Sequence, residues 1–337
     1  MITVAINGFG RIGRNFLRAV MQDETAQKQL TIAVINIGPA NPENVAHMFK
    51  YDSLMGTFPG SVEMDGNTLV VNNTSIKIIA EPDPSKIDWA SYNIDWVVES
   101  SGRFTKRDQA QLHLDAGAPY VLITAPAKEE DIAIIPGVNE DKFNPATDHI
   151  VSLGSCSTNA FIPTLKVLND AFGIESGFMT SVHAYTNAQV LLDVEDSDLR
   201  RSRAAALNII PTTTGASKML DKVMPELKGK VKATAIRVPV AKVSIMDLIF
   251  STSKPITPET INNQFQKAAT SNMAGIVSLS MEPLVSSDYS CSPFSVIIDG
   301  LLTKTVGNNM GQVFGWYDNE WGYSVRLMDF LLYVNRK

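Results

Sequence analysis

Thr3-Val-Ala-Ile-Asn-Gly-Phe-Gly-Arg-Ile-Gly13 decides the first half of the fold. A short apolar run from Thr3 to Asn7 breaks at Gly8, and the chain resumes from Arg11 to Val20 with the apolar spacing of a helix. The segment therefore reads strand, tight turn, helix. Gly8, Gly10 and Gly13 form a GxGxxG at the turn: the first permits the turn, the second lets the backbone approach a pyrophosphate, and the third allows close helix packing. The helix N-terminus attracts the anion. In this setting the pattern predicts dinucleotide binding, with a purely structural glycine turn as the alternative.

Working outward, Leu30–Ile35, Ile94–Val98 and Tyr120–Ile123 are buried-type strand runs, with a helix expected between Asp108 and Ala116. Strands alternating with helices predict a parallel sheet covered on both faces. Short runs at Ser61–Met64, Asn67–Val71 and Ile76–Ile79, separated by Asp-Gly and Asn-Asn turns, read as a hairpin insertion. Past residue 156, a helix over 159–171 is followed by longer strands at 233–238, 243–251 and 295–302, which suggest a mainly antiparallel sheet with helices on one face. The expected architecture is α/β. A Rossmann-type parallel-sheet domain spans residues 1–155 and is completed by a C-terminal helix at 317–337; an α+β catalytic domain with a mainly antiparallel sheet spans 156–316.

Composition bounds the function. The 337 residues suit two domains, and 45% apolar with 19% charged residues is globular rather than disordered. A net charge of −6 gives no electrostatic reason to expect a nucleic-acid or anionic-membrane partner, so any basic site must be a local pocket. Two cysteines, Cys156 and Cys291, make no disulfide framework and show no zinc-ligand spacing. No apolar run approaches the roughly 18 residues of a membrane span, and the start of the chain shows no charged leader. A soluble cytoplasmic protein is expected.

The dinucleotide fingerprint calls for an acid at the end of the second strand to hold the ribose hydroxyls. Val34-Ile-Asn-Ile-Gly-Pro39 carries none. Losing the acid removes a repulsion against a ribose 2′-phosphate, yet residues 37–44 contain no Arg or Lys to pair with one. NAD is favoured, and NADP or dual use stays open.

Ser155-Cys-Ser-Thr-Asn159 precedes a helical run, with Pro163 expected in its first turn where a missing N–H costs little. A cysteine there feels unpaired N–H groups and the positive end of the helix dipole, both of which favour the thiolate. Cys291, within Tyr289-Ser-Cys-Ser-Pro293, shows neither a helix start nor a base in sequence and receives no role. Among the histidines, His47 and His113 fall on nucleotide-domain helices and His149 near the domain junction. His183 ends a strand-like run one helix and one strand beyond Cys156, where the chain can return beside the thiol. Arg200, Arg201 and Arg203, the turn Pro211-Thr-Thr-Thr-Gly215 and the isolated Arg237 form a hydroxyl- and guanidinium-rich set suited to phosphate, against the alternative of a solvated charge run.

With these residues in view, the chain resembles the glyceraldehyde-3-phosphate dehydrogenase family nearly end to end. The resemblance is carried by Ile6–Arg14, Tyr51-Asp-Ser53, Thr124-Ala-Pro-Ala-Lys128, Ser155–Asn159 and His183-Ala-Tyr-Thr186. It continues through Asp198–Ala206, Asn208–Gly215 and Trp316–Ser324. It implies Cys156 as nucleophile and His183 as base. It also implies one phosphate site from Thr186 and Arg237, and a second from Ser155, Ser157, Arg201, Thr214 and Gly215. Asn319 would hold the nicotinamide carboxamide with Tyr323 nearby. Asn7, Gly8, Phe9, Gly10, Arg11 and Ile12 would surround the dinucleotide, with Gly13, Ile37, Ser101 and Thr124 in the same site.

The implied partners are glyceraldehyde 3-phosphate, inorganic phosphate and further copies of the chain in a homotetramer, whose loop from about 187 to 206 reaches a neighbour's cofactor. Departures fall mostly around the adenosine: Ile37 replaces the ribose-binding acid, Pro82 a frequent Arg, and Val194-Glu195 a common Leu-Pro. Glu195, if it approaches the ribose, would repel a 2′-phosphate. Ser157 replaces a Thr and keeps the hydroxyl, while Ala188 replaces a polar residue near the substrate phosphate. Two alternatives remain at this point: an erythrose-4-phosphate dehydrogenase, which hydrolyses its thioester with water, and an inactive nucleotide-sensing relative. The intact hydroxyls around Cys156 and the TTTG turn weigh against the first, and intact Cys156, His183, Arg201, Arg237 and Asn319 against the second.

Overall fold

A computed structural model describes residues 1–336. They divide into two compact units, one formed by residues 1–134, 140–154 and the chain from Ser324 onward, the other by residues 135–139 and 155–323.

The first unit is built on a nine-stranded sheet. Its strands are β1 (Ile2–Asn7), β2 (Leu30–Asn36), β3 (Val62–Asp65), β4 (Thr68–Val71), β5 (Thr74–Ile79), β6 (Trp96–Glu99), β7 (Tyr120–Ile123), β8 (Ile132–Ala133) and β9 (Ile150–Ser152). They lie in the order β3-β4-β5-β2-β1-β6-β7-β9-β8. Every pairing from β5 to β8 is parallel. Strands buried on both faces read as continuous apolar runs, and β7 does so, as does β6 up to Glu99. Helices α1 (Arg11–Gln22), α2 (Glu24–Gln29), α3 (Val45–Lys50) and α4 (Arg107–Asp115) belong to this unit. The segment read as a hairpin insertion is instead an antiparallel meander, β3-β4-β5, that extends the sheet because β5 pairs in parallel with β2 at Val34–Asn36.

The second unit carries β10 (Ile174–Ala184), β11 (Ile210–Thr212), β12 (Val231–Val238), β13 (Ser244–Thr252), β14 (Val277–Ser280), β15 (Val296–Asp299), β16 (Lys304–Val306) and β17 (Met310–Tyr317). The order is β11-β12-β10-β13-β17-β15-β14, with β16 on β17. Five of its seven pairings are antiparallel, and β10·β12 and β14·β15 are parallel. Its helices are α5 (Cys156–Phe172), α6 (Ala216–Val223) and α7 (Pro258–Ala269), and α8 (Trp321–Val334) begins in this unit and continues into the first.

Two sequence expectations shift here. Residues 317–323 group with the second unit, because Tyr317 ends a strand registered against Ser244 of β13. Helix α5 starts at Cys156 rather than 159, because Ser155 and Thr158 cap it reciprocally: Ser155 N–H donates to Thr158 Oγ1 at 2.7 Å, and Thr158 N–H to Ser155 Oγ at 3.3 Å. Pro163 therefore lies well inside the helix and not in its first turn.

Candidate active site

In the first unit, β1 delivers the chain into the turn at Gly8, whose φ of +94° is open to glycine and strained for other residues. A Cβ there would also stand 2.4 Å from the Ser101 backbone nitrogen. The turn borders a cavity of about 420 Å³, lined among others by Asn7, Gly8, Phe9, Gly10, Ile37 and Ser101. Gly10 caps α1 and has open space where a side chain would project, which is the clearance a pyrophosphate needs against the helix N-terminus. The cavity thus fits a dinucleotide. Arg11, by contrast, turns away to an ion pair with Asp52, while Ile12, Gly13 and Thr124 do not line the cavity.

Beneath the turn runs a buried polar chain that sequence reading missed. Trp89 Nε1–H donates to His113 Nδ1 at 3.2 Å, so Nδ1 is the acceptor and Nε2 the donor that faces Glu99 Oε2 at 3.1 Å. Glu99, 1% exposed, also accepts from Asn7 Nδ2 and from the N–H and hydroxyl of Ser101. Asn7 Oδ1 in turn accepts from Asn36 Nδ2 at 2.7 Å. A fully buried carboxylate with four donors holds both sides of the dinucleotide turn in place.

In the second unit, the capping box fixes Cys156 as the first residue of α5. His183 comes from the end of β10, and its Nε2 lies 3.4 Å from Cys156 Sγ. The parallel register of β10 and β12 sets Arg237 directly beside His183, and β11 sets Ile210, two residues before the first Thr of the TTTG turn, beside Arg237. One row of the sheet thus carries base and guanidinium. Arg237 Nη1 lies 2.7 Å from His183 Nδ1 and donates to the Ala184 carbonyl at 2.9 Å.

Burial, reinforced by the Arg237 charge, pushes His183 down to about 3 against a weaker opposing bond to Ala184. The ring is therefore neutral at neutral pH. Nδ1 faces both the Ala184 carbonyl, at 2.6 Å, and Arg237 Nη1, at 2.7 Å: the tautomer that donates Nδ1–H to Ala184 presents the Nε2 lone pair to the thiol, whereas the one that accepts from Arg237 carries its proton on Nε2. The expected thiolate-favouring environment of Cys156 is outweighed: burial raises the thiol, although Arg237 and the Ser157 hydroxyl and N–H oppose it. The pair rests as thiol and imidazole, a nucleophile with a base in reach.

A second network, also unread in the sequence, braces this pair. The Tyr317 hydroxyl lies 3.2 Å from Ser157 Oγ and 2.7 Å from Ser181 Oγ, and its ring packs edge-on to His183. Ser244 Oγ accepts from Ala184 N–H at 3.1 Å and donates to Asn319 Oδ1 at 3.4 Å, so the buried Asn319 is tied to the strand that carries His183. Tyr323 is buried in the same unit. Of the remaining predicted residues, Arg201 pairs with Asp198 at 3.2 Å and its charge is felt at Arg237. Thr214 Oγ1 accepts from Ala216 N–H at 3.3 Å, Gly215 caps α6, and Thr186 lies in the loop two residues past β10.

Residues 2–107 match the family model described as glyceraldehyde 3-phosphate dehydrogenase, NAD binding domain, and residues 155–319 match glyceraldehyde 3-phosphate dehydrogenase, C-terminal domain. Glyceraldehyde-3-phosphate dehydrogenase of Geobacillus stearothermophilus is 48% identical over 336 residues, covering 100% of this chain and 99% of that protein. Glyceraldehyde-3-phosphate dehydrogenase 1 of Bacillus subtilis is likewise 48% identical with the same coverage. The Streptomyces coelicolor enzyme is 45% identical over 337 residues, again covering 100% of this chain and 99% of that protein. With the NAD binding domain in its first unit and a cysteine–histidine pair in its second, the chain belongs to the glyceraldehyde-3-phosphate dehydrogenase family.

Proposed function

We propose that the protein is a phosphorylating dehydrogenase that oxidises D-glyceraldehyde 3-phosphate, with NAD and inorganic phosphate, to 1,3-bisphosphoglycerate. The observation that carries the reading is Cys156 at a helix N-terminus, 3.4 Å from a neutral His183 whose other face meets Arg237. His183 Nε2 takes the thiol proton as Sγ attacks the aldehyde, giving a thiohemiacetal. The Cys156 N–H, one of the unpaired donors of the first helical turn, and the protonated Nε2–H then stabilise the developing oxyanion. When bound, the nicotinamide supplies the hydride acceptor. Oxidation leaves a thioester on Cys156, which phosphate held by Ser155, Ser157, Arg201, Thr214 and Gly215 attacks.

Arg237 and Thr186 take the substrate's own phosphate. A phosphate dianion paired with Arg237 offsets the charge that depresses His183, so the substrate strengthens the base that acts on it. Asn319 orients the carboxamide. NAD is favoured over NADP because Ile37, Gly38 and Pro82, which line the cavity where the fingerprint places the ribose, bring no cation and Glu81 adds a carboxylate, while the cavity's two arginines are Arg14 and Arg103. Leu191, Leu192, Leu199 and Leu207 are all more than 70% exposed, and such an apolar loop supports burial against further copies of the chain in a homotetramer.

Steady-state turnover with NAD and with NADP, each with and without phosphate, tests the reading. Phosphate-dependent turnover with NAD is expected. Phosphate-independent turnover would reassign the enzyme to a hydrolysing relative, and cofactor binding with no turnover would make it a sensor.

A further inference from the structure

We infer that Cys291 and Lys242 form a second reactive centre, in which a hydroperoxide oxidises the thiol and the lysine amine captures the oxidised sulfur as a covalent sulfur–nitrogen link. Lys242 Nζ lies 3.1 Å from Cys291 Sγ and 3.2 Å from Asp318 Oδ2. Cys291 is exposed, whereas the side chains of Lys242 and Asp318 are only 7% and 0% exposed. Cys291 thus lies at the surface, while the amine beside its sulfur is buried.

The contact is built rather than incidental. Asp318 Oδ2 accepts the Cys291 N–H at 2.8 Å as well as pairing with Lys242, so one carboxylate positions both reactants. The backbone is left-handed at Cys291 (φ +60°) and at Val243 (φ +65°), next to Lys242, and a β-branched residue rarely adopts that conformation. Strained conformations of this kind persist where the surroundings over-determine them. An ion pair between Lys242 and Asp318 needs no thiol in reach, and the reading of Cys156 as nucleophile leaves Cys291 unused.

The chemistry balances. Sγ attacks a peroxide oxygen and the O–O bond breaks; sulfur becomes a sulfenic acid and the peroxide is reduced to water or an alcohol. The Lys242 ammonium gives one proton to Asp318, and Nζ attacks sulfur. The S–O bond breaks, and the departing hydroxide takes a second N–H proton and leaves as water. The condensation transfers no further electrons, so the whole sequence is one two-electron oxidation of the thiol. Because the product nitrogen is uncharged, Asp318 loses its buried cation. Its other oxygen, Oδ1, accepts from Glu320 N–H at 3.0 Å and Trp321 N–H at 2.9 Å, so the link is felt at the start of α8.

The test uses the full-length Cys156→Ser chain, in which Cys291 is the one remaining thiol. After hydrogen peroxide, the intact mass should fall by about 2 Da, trypsin should no longer cut after Lys242, and a peptide pair joined through Lys242 and Cys291 should appear. Dithiothreitol should reverse all three changes. The wild-type chain should give the same peptide pair, and Cys291→Ser protein should not. The inference is overturned if Cys291 gains about 16 or 32 Da with Lys242 still cleavable, if the joined pair carries an inserted oxygen at about +14 Da, or if Cys291 stays unmodified.

Discussion

Neutral His183 makes a specific claim about acid stability. Its ring binds a proton at about 3 in the folded chain, against an ordinary 6.5. The unfolded chain therefore binds more protons than the native one between these values. Stability from this residue is fully present above the unfolded pKa and is lost as pH falls from 6.5 toward 3. At pH 7 the effect is only about 0.2 kcal/mol, while at pH 5 the 1.5-unit gap to 6.5 costs about 2 kcal/mol at 1.36 kcal/mol per unit. His183→Asn removes the titration and leaves other groups in place. Denaturant unfolding of both proteins at pH 7 and pH 5 isolates the term as the difference between their losses. Wild type should lose about 2 kcal/mol more than His183→Asn between those pH values. Parallel losses would mean that the native ring titrates like the unfolded one, and a smaller loss in wild type would mean a ring already protonated beside a thiolate; either would remove the assignment of His183 as a resting neutral base.

Other variants probe the supporting networks. Glu99→Gln turns one of two oxygens that accept four hydrogen bonds into a donor and should lower the unfolding free energy by about 3 kcal/mol while weakening NAD binding in a fluorescence titration. Unchanged NAD affinity would separate this chain from the cofactor turn. Tyr317→Phe leaves Ser157 and Ser181 without the phenol and should cost about 1–3 kcal/mol in urea unfolding; a variant as stable as wild type would mean that the phenol does not brace them. Ile37→Asp should raise the ratio of NADP to NAD dissociation constants by about tenfold or more, since a carboxylate there bonds ribose hydroxyls and repels a 2′-phosphate. An unchanged ratio would place the ribose elsewhere.

The dinucleotide turn was readable because two periods meet at it: an apolar strand run ends and a helical spacing begins, with glycines where steric clearance is needed. The start of α5 was read late. Thr158 rather than Glu or Gln stands at the third helical position, so the reciprocal cap with Ser155 lacks the usual acidic signature. Strand β17 escaped because glycines at 311 and 315 lower strand propensity; yet a Cβ at Gly315 would stand 2.6 Å from Val296 Cγ2, so close packing of β15 and β17 demands it. That Cys156 and His183 meet was legible from local context, whereas the state of the thiol was not. A helix N-terminus favours the thiolate, but the burial that outweighs it comes from residues far along the chain. The same holds for the two hydrogen-bond networks, whose bonded partners are up to 160 residues apart in sequence, as Ser157 and Tyr317 are.

The parallel pairing of β10 with β12 sets a rule for how this site can change. Parallel neighbours cannot be joined by a hairpin, so the chain must travel from Ala184 back to Val231 along a crossover. Residues 185–230 of that return path carry Thr186, Arg201, Thr214 and Gly215. The ends of the crossover, and β11 within it, are anchored by sheet register; the lengths of the segments between these anchors are not. Insertions and deletions between the anchors can therefore reshape the path without moving His183 or Arg237, whereas a one-residue slip within β12 would turn Arg237 to the opposite face of the sheet. The fold thus separates a part that evolution can vary from a row it must keep.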